Sequence, residues 1–193
     1  QAGALSFQEL QVDSVTSTAG VKFDRLDDGS YRAKGAQADK ATFTIKARTS
    51  LSGITALRLE TIVDKALPKS GPGRADNGNF VLTGIELLAG KTAKLAKADR
   101  VKLVDAAEDY QQGGFPAVNA IDGSGKTGWA VGGGVGRSHQ ALFRLAKPLS
   151  FKGERRLEIK LDQQYGKRHT LGRFRVLVGT GDAGDLREAP GDP

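Results

Sequence analysis

The sequence predicts an all-β protein, an antiparallel β-sandwich of the jelly-roll kind. Apolar and polar residues alternate through many short runs, turn-forming residues separate the runs, and helical spacing of apolar residues is nearly absent. A half-buried antiparallel strand turns one face to a core and the other to water, so its sequence has period two.

The first element is a turn. Asp27-Asp28-Gly29-Ser30 stands between two strand-like runs and predicts a hairpin with a primed turn. Alternating segments follow at 41–47, 56–63, 80–87, 141–145, 157–161 and 173–178. The one helix candidate lies at 90–100, where Lys91, Lys94, Lys97 and Arg100 recur every third residue. Its apolar partners are mostly alanine and give little burial to hold a helix, so the segment reads as a solvated connection. A weak internal echo supports a sandwich of two similar halves: Ala56-Leu57-Arg58-Leu59-Glu60 leads through a loop to Gly78-Asn79-Phe80, and Arg156-Leu157-Glu158-Ile159-Lys160 leads through another to Gly172-Arg173-Phe174. From Gly179 the chain is rich in Gly, Asp and Pro. The expected organisation is one domain over 1–178 and a linker over 179–193.

Bulk properties narrow the function classes. The 193 residues suffice for one domain with a sizeable core, and no apolar run is long enough to span a membrane. The absence of cysteine excludes disulfides, thiolate metal sites and cysteine nucleophiles. The chain begins Gln-Ala-Gly without a visible signal peptide and reads as a mature or excised piece of something longer. A net charge of +7, shared by both halves, attracts polyanions: nucleic acid, acidic lipid, or sulfated and uronic polysaccharide. The basic residues are dispersed and no aromatic-rich recognition motif interleaves them, which argues against nucleic acid.

The stretch Ala120-Ile121-Asp122-Gly123-Ser124-Gly125-Lys126-Thr127 satisfies a loose nucleotide-binding pattern. A P-loop needs a buried strand before it and a helix after it, so that backbone N–H groups converge on phosphates. Here a proline precedes it and Gly132-Gly133-Gly134 follows, each glycine costing about 1 kcal/mol in a helix interior. The nucleotide reading is set aside.

The same residues, with Thr127-Gly128-Trp129, resemble the A-(I/F)-D-G-x-x-x-T-x-W signature of discoidin and coagulation-factor type C domains, within the wider galactose-binding-like jelly rolls. That match covers roughly 103–178. A second resemblance spans most of the chain. Gly71-Pro72-Gly73-Arg74, Asn77-Gly78-Asn79-Phe80-Val81-Leu82, Ala120-Ile121-Asp122-Gly123 and His169-Thr170-Leu171-Gly172-Arg173 look like an accessory, carbohydrate-binding-like segment of large secreted planctomycete proteins that also carry cytochrome c-type domains.

These resemblances imply a secreted, periplasmic or cell-surface module, monomeric in isolation, with polysaccharide and neighbouring modules of the parent chain as partners. They also imply a structural calcium at the Asp-Gly loop, with Asp122 and Thr127 as ligands, Asn119 or Ser124 as neighbours, and Glu158 as the later acidic ligand. A simple Asx turn closed by Asp122 is the competing reading. For ligand contact the candidates are Arg74, Asn77, Asn79, Trp129, His139, Tyr165, His169 and Arg173. Arginine holds sulfate or carboxylate through two N–H groups. Trp129 is either a core residue or a stacking platform, and Tyr110 and Tyr165 are alternative platforms. Asn77 and Asn79 also fit a tight loop, and the histidines lack metal spacing. The expected function is a non-catalytic carbohydrate-binding module, with an anionic polysaccharide as the candidate ligand. A protein-docking sandwich is the alternative, and a glycosidase or lyase domain follows.

Overall fold

Alternation in the sequence becomes strand wherever two apolar faces meet. The computed structural model describes residues 3–184 and 186. Among these are strands β1 (Ser6–Glu9), β2 (Gln11–Ser17), β3 (Val21–Arg25), β4 (Tyr31–Gly35), β5 (Ala41–Thr49), β6 (Ile54–Thr61) and β7 (Val81–Leu82). There follow β8 (Gly84–Gly90), β9 (Arg100–Val101), β10 (Leu103–Glu108), β11 (Trp129–Ala130), β12 (His139–Leu149), β13 (Arg155–Gln163) and β14 (Arg173–Thr180). The only helical pieces among the described residues are short 3₁₀ turns, one of them at Ala117–Ile121.

One sheet runs β10-β12-β6-β14-β4-β3, with β1 beside β14, and the facing sheet runs β2-β5-β13-β8-β9. The short pair β7 and β11 stands apart. All named strand pairs are antiparallel. Phe43, Ile45 and Ala47 of β5 and Leu157, Ile159 and Leu161 of β13 form one inner face; Leu57 and Leu59 of β6, Phe143 of β12 and Phe174 and Val178 of β14 form the other. Phe43 stacks on Phe174 at 5.8 Å between ring centres while Phe23 meets Phe43 edge-on at 4.8 Å, fastening the two sheets together.

The internal echo is not matched by equivalent pairing. β6 leads to Val81–Leu82, which is β7 and pairs with β11 outside the two main sheets, whereas β13 leads to β14 in the larger sheet. The strands that do pair between these segments are β6 with β14 and β8 with β13.

Three local expectations are corrected. The β3–β4 hairpin forms, but its turn is not primed: only Gly29 has positive φ (77°), with the Gly29 N–H donating to the Leu26 carbonyl at 2.9 Å. A type I′ turn needs positive φ at both central residues, which Asp27 and Asp28 do not adopt. The run 80–87 is split at Thr83, whose N–H and hydroxyl both donate to the Asp162 carbonyl, at 2.8 and 3.1 Å. The domain does not stop at 178 either. β14 continues to Thr180, and Ala183 and Leu186 are buried with Leu5 and Phe7 against Ala56 and Leu142 on the outer face of the larger sheet. Residues 187–193 of the expected linker lie outside the described residues. The segment 90–100 is a connection, with Lys91, Lys94 and Lys97 exposed.

Candidate functional site

An open groove of about 670 Å³ runs along the end of the smaller sheet, where β8, β9 and the close of β13 meet the loop after the Ala117–Ile121 turn. Its floor is set by a missing side chain. Gly84 pairs with Asp162 across β8 and β13, and a Cβ at Gly84 would lie 3.1 Å from Asp162 Oδ2. Glycine inside a strand marks a close approach of this kind.

The polar groups of the groove are held by neighbours. Asp162 Oδ1 accepts the Thr42 hydroxyl at 2.6 Å. The Thr83 hydroxyl accepts the Gln164 N–H at 3.0 Å, fixing the backbone that presents the Gln164 amide. Glu86 Oε1 accepts from Arg100 Nη2 at 2.6 Å on the rim. Ile85, Val101 and Ile121 supply apolar wall, and the backbone of Gly123 to Gly125 closes the far side. Directly after Gln164, Tyr165 is 45% exposed and meets Phe115 at 6.0 Å and His169 at 5.2 Å, both edge-on. Arg100 and Lys102 line the groove, and Lys91, Lys94 and Lys97 are exposed in the β8–β9 connection.

The structure brings only some of the sequence candidates together. Tyr165 and His169 touch, with His169 Nδ1 3.1 Å from the Gly166 carbonyl. Asn79, Trp129 and His139 gather in the interior instead. Trp129 is fully buried and donates its indole N–H to the Tyr110 carbonyl at 2.9 Å, so it offers no stacking face to a ligand. Asn79 Oδ1 accepts the Val131 N–H at 3.0 Å while its amide donates to Gln112 at 3.0 Å. His139 is sealed beneath Tyr110, their rings stacked 5.0 Å apart, which leaves that tyrosine occupied too. Exposed Asn77 caps its own loop, accepting the Asn79 N–H at 3.1 Å. Arg173 is committed to Ser30, Asp28 and Asp64 at 2.9, 2.7 and 3.3 Å. Arg74 is 4% exposed and binds the carbonyls of Ala36 and Gly35 at 2.7 and 3.1 Å.

The Asp-Gly loop closes on itself. Asp122 Oδ1 accepts the Ser124 N–H at 2.7 Å, and its other oxygen accepts the Thr127 hydroxyl. Asn119 turns its amide toward the Gly114 carbonyl at 3.4 Å, and Glu158 faces Lys160 and Lys46 at 3.4 and 4.0 Å. This is the geometry of an Asx turn closed by Asp122. Among the described residues no group of three or more His, Cys, Asp or Glu is placed to hold a metal.

Glu86, Asp162 and Gln164 carried no motif in the sequence. The signals were Gly84, interrupting an alternating run, and Arg100, the last of the basic residues that recur every third position from Lys91.

No family model matches the chain, and no curated protein matches it. Several solved structures are similar in shape. One chain of the complex of reduced XRCC1 with the DNA polymerase β catalytic domain shares 14% identity over 91% of this chain and 99% of its own, with a TM-score of 0.45. A Clostridium perfringens ZmpB structure containing the CBM32-1, CBM32-2 and M60 catalytic domains shares 8% over 93% of this chain, with a TM-score of 0.39; the match spans 17% of that chain. A mutant of the family 29 carbohydrate-binding module CBM29-2 shares 10% over 94% of this chain and 89% of its own, with a TM-score of 0.35.

Proposed function

We propose that this chain is a non-catalytic carbohydrate-binding module whose ligand lies in the groove over Gly84. The observation that carries the reading is the groove itself: an open channel of about 670 Å³ presenting a carboxylate, an amide and an ion-paired guanidinium to one space. Planar two-pronged groups of this type match adjacent sugar hydroxyls, which both donate and accept hydrogen bonds. Ile85, Val101 and Ile121 supply apolar wall against which the face of a sugar ring can lie.

The cations at the rim favour an anionic polysaccharide. Arg100 and Lys102 on the lining are balanced by Glu86 and Asp162, and the surplus of positive charge that raises the local density of a polyanion comes from Lys91, Lys94 and Lys97 on the adjoining connection. Binding without catalysis is supported by the state of the carboxylates, since Glu86 is committed to Arg100 and Asp162 accepts from Thr42. A docking sandwich would present a broad apolar patch. The exposed large hydrophobic residues among those described are Val104, Val118 and Tyr165. An extracellular address and neighbouring modules in a parent chain belong to this reading on the strength of the sequence resemblance. No described helix is long and apolar enough to cross a membrane.

Affinity electrophoresis in gels containing neutral or anionic polysaccharides, at two salt concentrations, tests it. Selective retardation by one glycan that survives raised salt is the expected result. Retardation by every polyanion that vanishes with salt, or none at all, overturns the reading in favour of docking.

A further inference from the structure

Two arginines of the described chain are buried, and they are treated differently. Arg58, 5% exposed, faces Glu60 at 2.9 Å. Arg74, 4% exposed, has no carboxylate within ion-pair distance among the described residues, and its hydrogen-bond partners are two neutral carbonyls, those of Ala36 and Gly35. Its guanidinium has five N–H donors, and carbonyls leave its charge uncompensated. Burial pushes it below its ordinary pKa with no nearby charge opposing the shift.

A pocket of about 400 Å³ opens beside it. Arg32, Lys34 and Arg74 line this pocket against a single carboxylate, Asp24, which is already paired with Lys34. Arg32 is paired with the buried carboxylate of Asp64 at 3.4 Å. The Gln37 amide is also on the wall. The chemistry missing from this enclosure is a negative charge with two or more oxygens, which a guanidinium fork grips best.

We propose that the pocket lined by Arg74, Arg32, Lys34 and Gln37 is a binding site for a small oxyanion, a sulfate or carboxylate, separate from the groove over Gly84. The site neither shares a lining residue with the groove nor depends on the groove's ligand. Its occupant is either a free anion or the sulfate or carboxylate of a substituted sugar.

The test is an NMR titration of the Gly35 and Ala36 amides and the Arg74 Nε–H. Sodium sulfate, sodium acetate and a sulfated disaccharide are each added against sodium chloride at matched ionic strength. Saturable shifts with an oxyanion and none with chloride are expected. Saturation by inorganic sulfate or acetate assigns a free anion, and saturation only by the disaccharide assigns a sugar substituent; either upholds the site. Arg74→Gln removes the response. Because that variant also releases the 35–36 loop, Lys34→Gln is the second arm, weakening the affinity about two- to fivefold, the effect of one exposed charge. Shifts identical in chloride, or undiminished in Lys34→Gln, overturn the proposal, whatever the polysaccharide gels show for the groove.

Discussion

The Asp109 carboxylate lies 3.1 Å from Nδ1 of His139, whose Nε2 lies 2.7 Å from the Gly134 carbonyl. The buried ring is thus held between a carboxylate and a backbone carbonyl. Burial by itself raises the Asp109 carboxyl, but hydrogen bonds from His139 and the Gln140 N–H outweigh it and hold the group below its ordinary value. A depressed carboxyl stabilises the fold above its unfolded pKa of about 3.9, and the contribution is lost as pH falls through the folded value. Asp109→Asn is therefore less stable than the parent at neutral pH, and the gap narrows on acidification below about pH 4. Thermal unfolding of both proteins across that range measures it.

Asp28 carries a second acid-sensitive contact. Burial opposes ionisation, yet the Ser30 hydroxyl and N–H and the Arg173 guanidinium together lower its pKa to about 2. Its stabilisation is complete above about pH 4 and fades between there and about pH 2. Replacement by asparagine flattens the melting-temperature profile in that window and leaves its shape above it unchanged.

Gly84→Ala places a methyl group 3.1 Å from the Asp162 carboxylate and pushes that group into the groove. Glycan affinity falls by about tenfold, roughly 1.4 kcal/mol. Circular dichroism remains that of the parent. Affinity equal to the parent's would place the ligand elsewhere.

Gly73→Ala tests packing alone. A Cβ there would stand 1.9 Å from the Asn79 carbonyl oxygen, a backbone atom with no freedom to retreat. Destabilisation of about 3 kcal/mol is expected by chemical denaturation. A smaller loss would show that the 73–79 loop can open.

Trp129 is the single tryptophan and lies fully buried in β11, so its emission reports the core and not the groove. Saturating polysaccharide leaves that emission unchanged, while unfolding shifts it to the red. Trp129→Phe leaves the Tyr110 carbonyl without its donor and opens a cavity, a loss of about 2 kcal/mol.

What the sequence shows about this fold follows from where each strand sits. β5, β13 and β14 are interior strands whose alternation is strong enough to read directly. β2 and β10 lie at sheet edges, one polar and half-exposed, the other rich in small alanines, and neither shows a clear period. Chemistry-bearing residues were legible by type but not by direction. Asn79, Trp129 and His139 are interior because Gln112, Tyr110 and Asp109 meet them across 33, 19 and 30 residues of chain, and no local pattern carries that information. The groove was hidden for the same reason: its walls come from β8, β9, β13 and the Asp122 loop, and each contributes only one or two ordinary polar residues.

The placement of β1 has a mechanical consequence. It runs antiparallel to β14, Ser6 opposite Thr180 and Glu9 opposite Leu177, while Ala4 bridges to Asp182, so both ends of the ladder emerge side by side. Tension applied through Ala4 and Asp182 falls on the outermost hydrogen bond first and opens the pair rung by rung, like a zipper, instead of loading every rung in shear. The first event under load is the peeling of β1, which bares Phe7 and Arg58 on the outer face while the aromatic contacts between the two sheets stay intact.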